Sequence, residues 1–263
     1  MVEQPQPTIT VAITGASGAL GQSLLRQWHR RGARLIALTH SPAPLLLRQS
    51  KGELIPLEQV RWQVGQEADL RPTLEVVDVL VINHGVNPHG QRSAAATGQA
   101  LEVNALSAWR MLELFAELVQ QRQSQAPAAG DGTGTVPGGG GGRSIADARP
   151  RAEVWLNTSE AEIQPAVSPL YELSKRLIGQ LLSLRALDLA GTLRLRRLVL
   201  GPFRSALNPI GVMTADWVAG QVLRQALDWN CSLVIVTPNP LTYVLMPLTT
   251  LSRWAYFRLT TRP

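Results

Sequence analysis

Two kinds of apolar spacing alternate along the chain. Short runs of apolar residues occur at 8–13, 34–38, 60–64, 76–82, 153–157, 193–200 and 232–237. The clearest, Val76-Val-Asp-Val-Leu-Val-Ile82, is almost unbroken and β-branched, as expected of a parallel strand covered on both faces. Between these runs the apolar residues fall at helical intervals. Leu20, Leu24, Leu25 and Trp28 form one stripe; Leu101, Ala105, Ala108, Leu112, Phe115 and Leu118 form another within 99–121. Leu173, Leu177, Leu181 and Leu184 form a third, and 214–229 reads as a fourth helix. Segment 42–60 reads as a helix of modest quality followed by a loop. Strand alternating with helix predicts one α/β domain over residues 1–263: a doubly wound, mostly parallel seven-stranded sheet with helices on both faces.

Two stretches depart from this pattern. Residues 122–150 contain Gly130-Asp-Gly-Thr-Gly-Thr-Val-Pro-Gly-Gly-Gly-Gly-Gly142, which has too few apolar groups to offset the entropy of ordering it. No strand feeds this insert, so it is not a phosphate loop. It joins a helix to a strand, which places it at the N-terminal edge of a parallel sheet, away from the ligand edge. The tail, 238–263, begins Pro238-Asn-Pro240 and continues with Leu248, Leu251, Trp254, Ala255 and Leu259 beside Arg253 and Arg258. It is expected to cover the sheet edge or meet another subunit, with membrane-surface contact as the second reading.

Composition narrows the class. A chain of 263 residues with 45% hydrophobic and 17% charged residues can bury a sizeable core. With Cys231 as the single cysteine no internal disulfide can form, and the N-terminus lacks the regions of a signal peptide, so a cytoplasmic location is expected. The net charge is +6, but the basic residues are scattered, with small groups at 29–31 and 194–197. No nucleic-acid motif accompanies them, and no such partner is expected.

The chemistry gathers at predicted strand ends. The first strand runs into Thr14-Gly-Ala-Ser-Gly-Ala-Leu-Gly21 and then a helix. In that context Gly15, Ser17, Gly18 and Gly21 read as a dinucleotide turn: glycines allow close backbone approach, and the helix N-terminus favours a pyrophosphate. The second strand ends in Thr39-His40-Ser41 with no acid to bond a ribose hydroxyl, which favours NADP(H) over NAD(H). The fourth ends in Asn83-His84-Gly85. His84 and His89 have no third ligand at metal-site spacing, and no metal is expected. Ser159 follows the fifth strand. Tyr171 and Lys175, four apart, share a helix face, and a cation near a phenol favours phenolate. Taken alone, that pair also fits a Tyr at a buried edge beside a solvated Lys.

Together these motifs resemble the short-chain dehydrogenase/reductase family: the N-terminal glycine turn, Asn83-x-Gly85, the helical Asn104, Ser159 before Tyr171-x-x-x-Lys175, and Pro202 after the sixth strand. The resemblance implies a single-domain Rossmann fold and an NAD(P)-dependent oxidoreductase acting on a carbonyl or alcohol, assembled as a homo-dimer or tetramer. It implies that Tyr171 exchanges the proton, Ser159 bonds the reacting oxygen, and Lys175 lowers the Tyr171 pKa and binds the nicotinamide ribose. Asn104 would hold a water leading to Lys175, Asn83 and Gly85 would line the adenosine side, and Pro202 and Ser205 would flank the nicotinamide. The sequence departs from the family in its Gly-x-x-Gly-x-x-Gly spacing, in His84, and in a Ser159 to Tyr171 interval one residue short, which leaves Thr158 as an alternative to Ser159. The tail's Asn239-Pro-Leu-Thr-Tyr243 resembles dehydrogenases associated with fatty-acid hydroxylase or sterol-desaturase partners, implying an apolar substrate. The alternatives are a dinucleotide-sensing protein without turnover and, from the glycine spacing, a sugar-nucleotide epimerase or dehydratase.

Overall fold

The structure is a computed structural model that describes residues 8–49, 51–125 and 151–262. Seven parallel strands form one sheet in the order β3-β2-β1-β4-β5-β6-β7: β1 (Thr10–Thr14), β2 (Arg34–Thr39), β3 (Glu58–Arg61), β4 (Val79–Ile82), β5 (Glu153–Asn157), β6 (Arg194–Leu200) and β7 (Leu233–Val236). β1 pairs with β2 on one side and β4 on the other. The strand order therefore reverses between β1 and β4, and ligands of doubly wound sheets bind in the crevice outside such a switch point.

The two faces of the sheet carry separate cores, as alternate residues of each strand require. Val11, Ile13, Ala37, Val81 and Leu198 join Leu24, Leu25 and Trp28 of α1 (Ala19–Arg30) and Val218 and Val222 of α6 (Ala215–Leu223). Ala12, Ile36, Leu38, Leu80 and Leu156 meet Met111, Leu112 and Phe115 of α4 (Ser107–Gln125) and Ile178 and Leu182 of α5 (Pro169–Leu189). The remaining helices are α2 (Arg71–Leu74), α3 (Ala94–Leu101) and α7 (Pro240–Thr260).

Several expectations are corrected. Among the described residues of 42–60 no helix forms; Arg48 and Leu54 pair instead, and Pro42, Pro44 and Pro56 in this stretch disfavour a helix. The third strand lies at Glu58–Arg61, two residues before the expected run. The fourth begins at Val79, because Val76 is exposed and Val77 closes a turn onto Leu74. The helix expected over 99–121 is α3 and α4 joined by a π-helical turn, Glu102–Leu106. Residues 122–125 of the expected insert belong to α4, and the rest of it, 126–150, lies outside the described residues. Arg196 and Arg197 of β6 are internal partners, not surface charge: Arg196 donates to both Glu153 oxygens at 2.6 and 2.8 Å, and Arg197 donates to Glu162 at 2.8 Å.

Candidate active site

The glycine turn after β1 is built from close contacts. Gly15 has φ +61°, and a Cβ there would stand 3.0 Å from the His84 Cα. A Cβ on Gly21 would stand 2.3 Å from the Gly15 carbonyl oxygen, so only glycine lets α1 start this close to the turn. Thr14 pins the turn to the neighbouring strand end. Its hydroxyl oxygen accepts the backbone N–H groups of Asn83 at 2.8 Å and His84 at 3.2 Å, and it lies 2.9 Å from the His84 Nδ1.

His84 is half-buried, and its ring meets Trp62 edge-on with centroids 5.0 Å apart. Burial, then the positive charge of Lys175, lowers its pKa to about 4, so the imidazole is neutral near pH 7. Its Nε2 has no well-formed hydrogen bond, although the Val103 carbonyl acts on it from the π turn. That turn carries Asn104. Its Oδ1 accepts the Val86 N–H at 2.8 Å, and its Nδ2 donates to the Val86 carbonyl and to Ser174 Oγ, each at 2.9 Å. Both amide hydrogens are thus engaged within the protein. Asn104 ties the loop after β4 to α5, and Gly85 lies close against it. π turns of this kind recur at functional sites because they shift a helix face by one residue.

Ser159 follows β5 with φ 72° and ψ 155°, a conformation almost confined to glycine that costs an L-residue about 1–3 kcal/mol. Its Oγ accepts the Ala161 N–H at 3.3 Å and donates to the Leu200 carbonyl at 3.3 Å. It also bonds the phenol of Tyr171. Thr158, the alternative, points elsewhere: its N–H donates to Leu198 O at 2.9 Å and its hydroxyl turns to the same carbonyl.

Lys175 is buried, and its Nζ donates to the Asn157 carbonyl at 2.8 Å and lies 5.6 Å from the Tyr171 ring centroid. Burial holds its pKa down at about 8, against the attraction of Glu162. Burial also raises the phenol of Tyr171, and the Ser159 hydrogen bond opposes this only in part. The net displacement of the Tyr171 phenol in this arrangement is therefore upward, with the Lys175 ammonium 5.6 Å from its ring centroid. The ammonium is directed to a main-chain carbonyl, and desolvation governs both groups.

The remaining sequence candidates occupy the same sheet edge. Ser17 sits in the turn, its carbonyl accepting from Gln22. At the end of β2 the Thr39 hydroxyl is engaged by Ser41 O and Gln59, Ser41 Oγ accepts the Ala43 N–H, and His40 is exposed. Asn83 Oδ1 accepts from Asn157. Pro202 and Ser205 lie in a folded loop after β6, where Pro202 O accepts from Val212 and Ser205 pairs with Asn208.

Sequence reasoning passed over a buried ion cluster directly behind the site. Glu162 is fully buried, accepting from Arg197 of β6 and Arg253 of α7. A sequence signal existed in the arginines interrupting an apolar strand, but their partner lay in a loop.

The arrangement fits a dinucleotide. The turn admits close approach only because glycines line it, and side-chain atoms at this edge, Asn87 Oδ1, Asn157 Oδ1 and Ser168 Oγ, are buried without a hydrogen-bond partner. Residues 11–134 match the model of the NAD dependent epimerase/dehydratase family. Over 252 residues the chain is 41% identical to the monoglucosyldiacylglycerol epimerase of Synechocystis sp., covering 96% of this chain and 55% of that protein. The chain thus spans about half the length of that relative. Among solved structures it is similar to a short chain dehydrogenase from Burkholderia cenocepacia in complex with NADP, with a TM-score of 0.69 and 16% identity over 97% of this chain and 98% of that one. A short-chain dehydrogenase from Sphingobium yanoikuyae in complex with NADPH gives a TM-score of 0.69 at 16% identity, covering 97% of this chain and 96% of that one. At such identities the likeness concerns architecture, and the chain has the Rossmann fold of the short-chain dehydrogenases.

Proposed function

We propose that the chain is a nicotinamide-dependent epimerase acting on a sugar hydroxyl of a glycosylated diacylglycerol, with Tyr171 as the proton-transfer group. The cluster of half-buried Tyr171 with buried Ser159 and Lys175 beside the glycine turn carries this reading. A bound nicotinamide would supply hydride removal and return at the sugar carbon. Tyr171 takes the proton of the same hydroxyl and gives it back, and Ser159 holds that oxygen. Lys175 bears the positive charge beside the ribose, and Asn104 keeps the loop after β4 in register with α5. Gly15, Ser17, Gly18 and Gly21 hold the pyrophosphate on the α1 N-terminus. Asn83 and Gly85 line the adenosine side, and Pro202 and Ser205 flank the nicotinamide. NADP(H) is the preferred cofactor, because β2 ends without an acid and Thr39, His40 and Ser41 stand at that position.

The epimerase reading is supported over net oxidation by the 41% identity to an epimerase along almost the whole of this chain. A net dehydrogenase or reductase of an apolar alcohol is the second reading, favoured by the likeness to dehydrogenase structures. The test is incubation of the 263-residue chain with NADP or NAD and a glucosyl diacylglycerol dispersed in detergent. Appearance of an epimeric lipid without net change in nicotinamide absorbance is expected; steady accumulation of reduced cofactor would replace epimerisation with dehydrogenation. Tyr171→Phe should lower turnover by about 10²–10⁴-fold while dinucleotide affinity stays unchanged. Retained turnover would remove Tyr171 from its role.

A further inference from the structure

The C-terminal helix α7 is inverted relative to an ordinary surface helix. The face it packs inward is polar and bonded. Thr242 lies between Glu160 and Gln164, and Arg253 reaches the buried Glu162. Met246 is its one fully buried apolar side chain. The opposite face holds Leu241, Val244, Leu248, Leu251 and Leu259, at helical spacing and from 59% to 85% exposed. A soluble surface helix normally turns such a stripe toward the core. Tyr243, Trp254 and Tyr256, each at least half exposed, flank the stripe, and these are the aromatic types that settle at membrane–water interfaces.

Charge limits what can cover this face. From Trp229 to Pro263 the chain contains Arg253, Arg258 and Arg262 and no acidic residue. Arg253 is engaged by Glu162, while Arg258 and Arg262 are exposed. The loop between β6 and α6 matches this character. Leu207, Ile210 and Val212 are exposed there, and Arg204 is the only charged residue from 201 to 215. That loop and α7 leave the same sheet edge from adjacent strands, and the N-terminus of α7 is bonded to the segment that follows Ser159 through Asn239 to Gln164 and Thr242 to Glu160. Among the described residues no helix is long and apolar enough to cross a membrane.

We propose that α7 and the loop of residues 201–213 dock the protein on the surface of an anionic lipid bilayer, with α7 lying in the interface and the mouth of the site facing the lipid. An apolar face flanked by aromatic residues, with only basic charges, is the pattern of helices that lie in that plane. The same face of a second copy carries no acidic residue to pair with the exposed arginines, whereas anionic headgroups neutralise them. The inference rests on the helix and the loop and holds whether or not the epimerase reading does.

The test is co-sedimentation of the 263-residue chain with vesicles of phosphatidylcholine alone or mixed with phosphatidylglycerol, alongside sedimentation velocity without lipid. Binding to the mixed vesicles that weakens with salt is expected. Leu248→Glu with Leu251→Glu should lower partitioning at least tenfold with an unchanged melting temperature, because both side chains are already exposed. Arg258→Gln with Arg262→Gln should lower binding to anionic vesicles by about fivefold per arginine. Tyr171→Phe should bind vesicles like the parent, which separates docking from catalysis. Failure of the parent chain to sediment with either vesicle would overturn the proposal. So would a dimer in the absence of lipid that dissociates in the Leu248→Glu, Leu251→Glu variant without vesicle binding by the parent, which would assign the face to a second copy.

Discussion

Replacing Lys175 by methionine should separate stability from activity. The side chain is 4% exposed, and burial lowers its pKa from 10.5 to about 8. That shift corresponds to about 3 kcal/mol of unfavourable interaction for the charged form, at ~1.4 kcal/mol per unit. The sign follows from proton binding. The unfolded chain keeps this proton to about pH 10.5, the folded chain releases it near pH 8, and between the two the unfolded state binds more protons. Stability from this group therefore rises with pH across that window, and the full penalty applies below it. Methionine removes the penalty but leaves the Asn157 carbonyl without its 2.8 Å donor, a loss of about 1–3 kcal/mol. At pH 7 Lys175→Met should thus be as stable as the parent or up to about 2 kcal/mol more so, with turnover abolished. By pH 9.5 the parent should have gained about 2 kcal/mol on the variant. Urea denaturation followed by tryptophan fluorescence at the two pH values reads this directly. A variant much less stable at pH 7, or a difference independent of pH, would refute the reading of Lys175 as a buried cation held at a cost.

Three further outcomes are expected. Ser159→Gly should be about 1 kcal/mol or more stabler than Ser159→Ala, because glycine relieves the φ of 72° that alanine retains; both should lose activity, and equal melting temperatures would show the backbone to be unstrained. Arg197→Met should destabilise the fold by about 3 kcal/mol by removing one cation from the buried Glu162, with urea unfolding as the measure. Gly21→Ala places a Cβ 2.3 Å from the Gly15 oxygen and should lower dinucleotide affinity at least tenfold in a fluorescence titration, whereas unchanged affinity would remove the glycine turn from cofactor binding.

Local pattern alone located the seven strands, to within a few residues, and the helices α1, α4, α5 and α6, because strands buried on both faces read as apolar runs and helices repeat at their own period. It also located the glycine turn and the helix face carrying Tyr171 and Lys175, since both depend on neighbours close in sequence. Segment 42–60 was misread because its apolar leucines carry no length or cap to separate a helix from a paired turn. Groups joined across the fold were decided by tertiary structure alone. Glu162 meets Arg197 and Arg253 from two distant elements, and the Ser159 backbone takes a glycine-like conformation that no spacing signals. Desolvation, a property of the assembled core, raises the phenol of Tyr171, which the spacing of Tyr171 and Lys175 does not signal. The tail's apolar residues were visible from the start, but only packing decides which face turns inward. In α7 the polar bonds to Glu160, Gln164 and Glu162 occupy the inner face and leave the leucines outside.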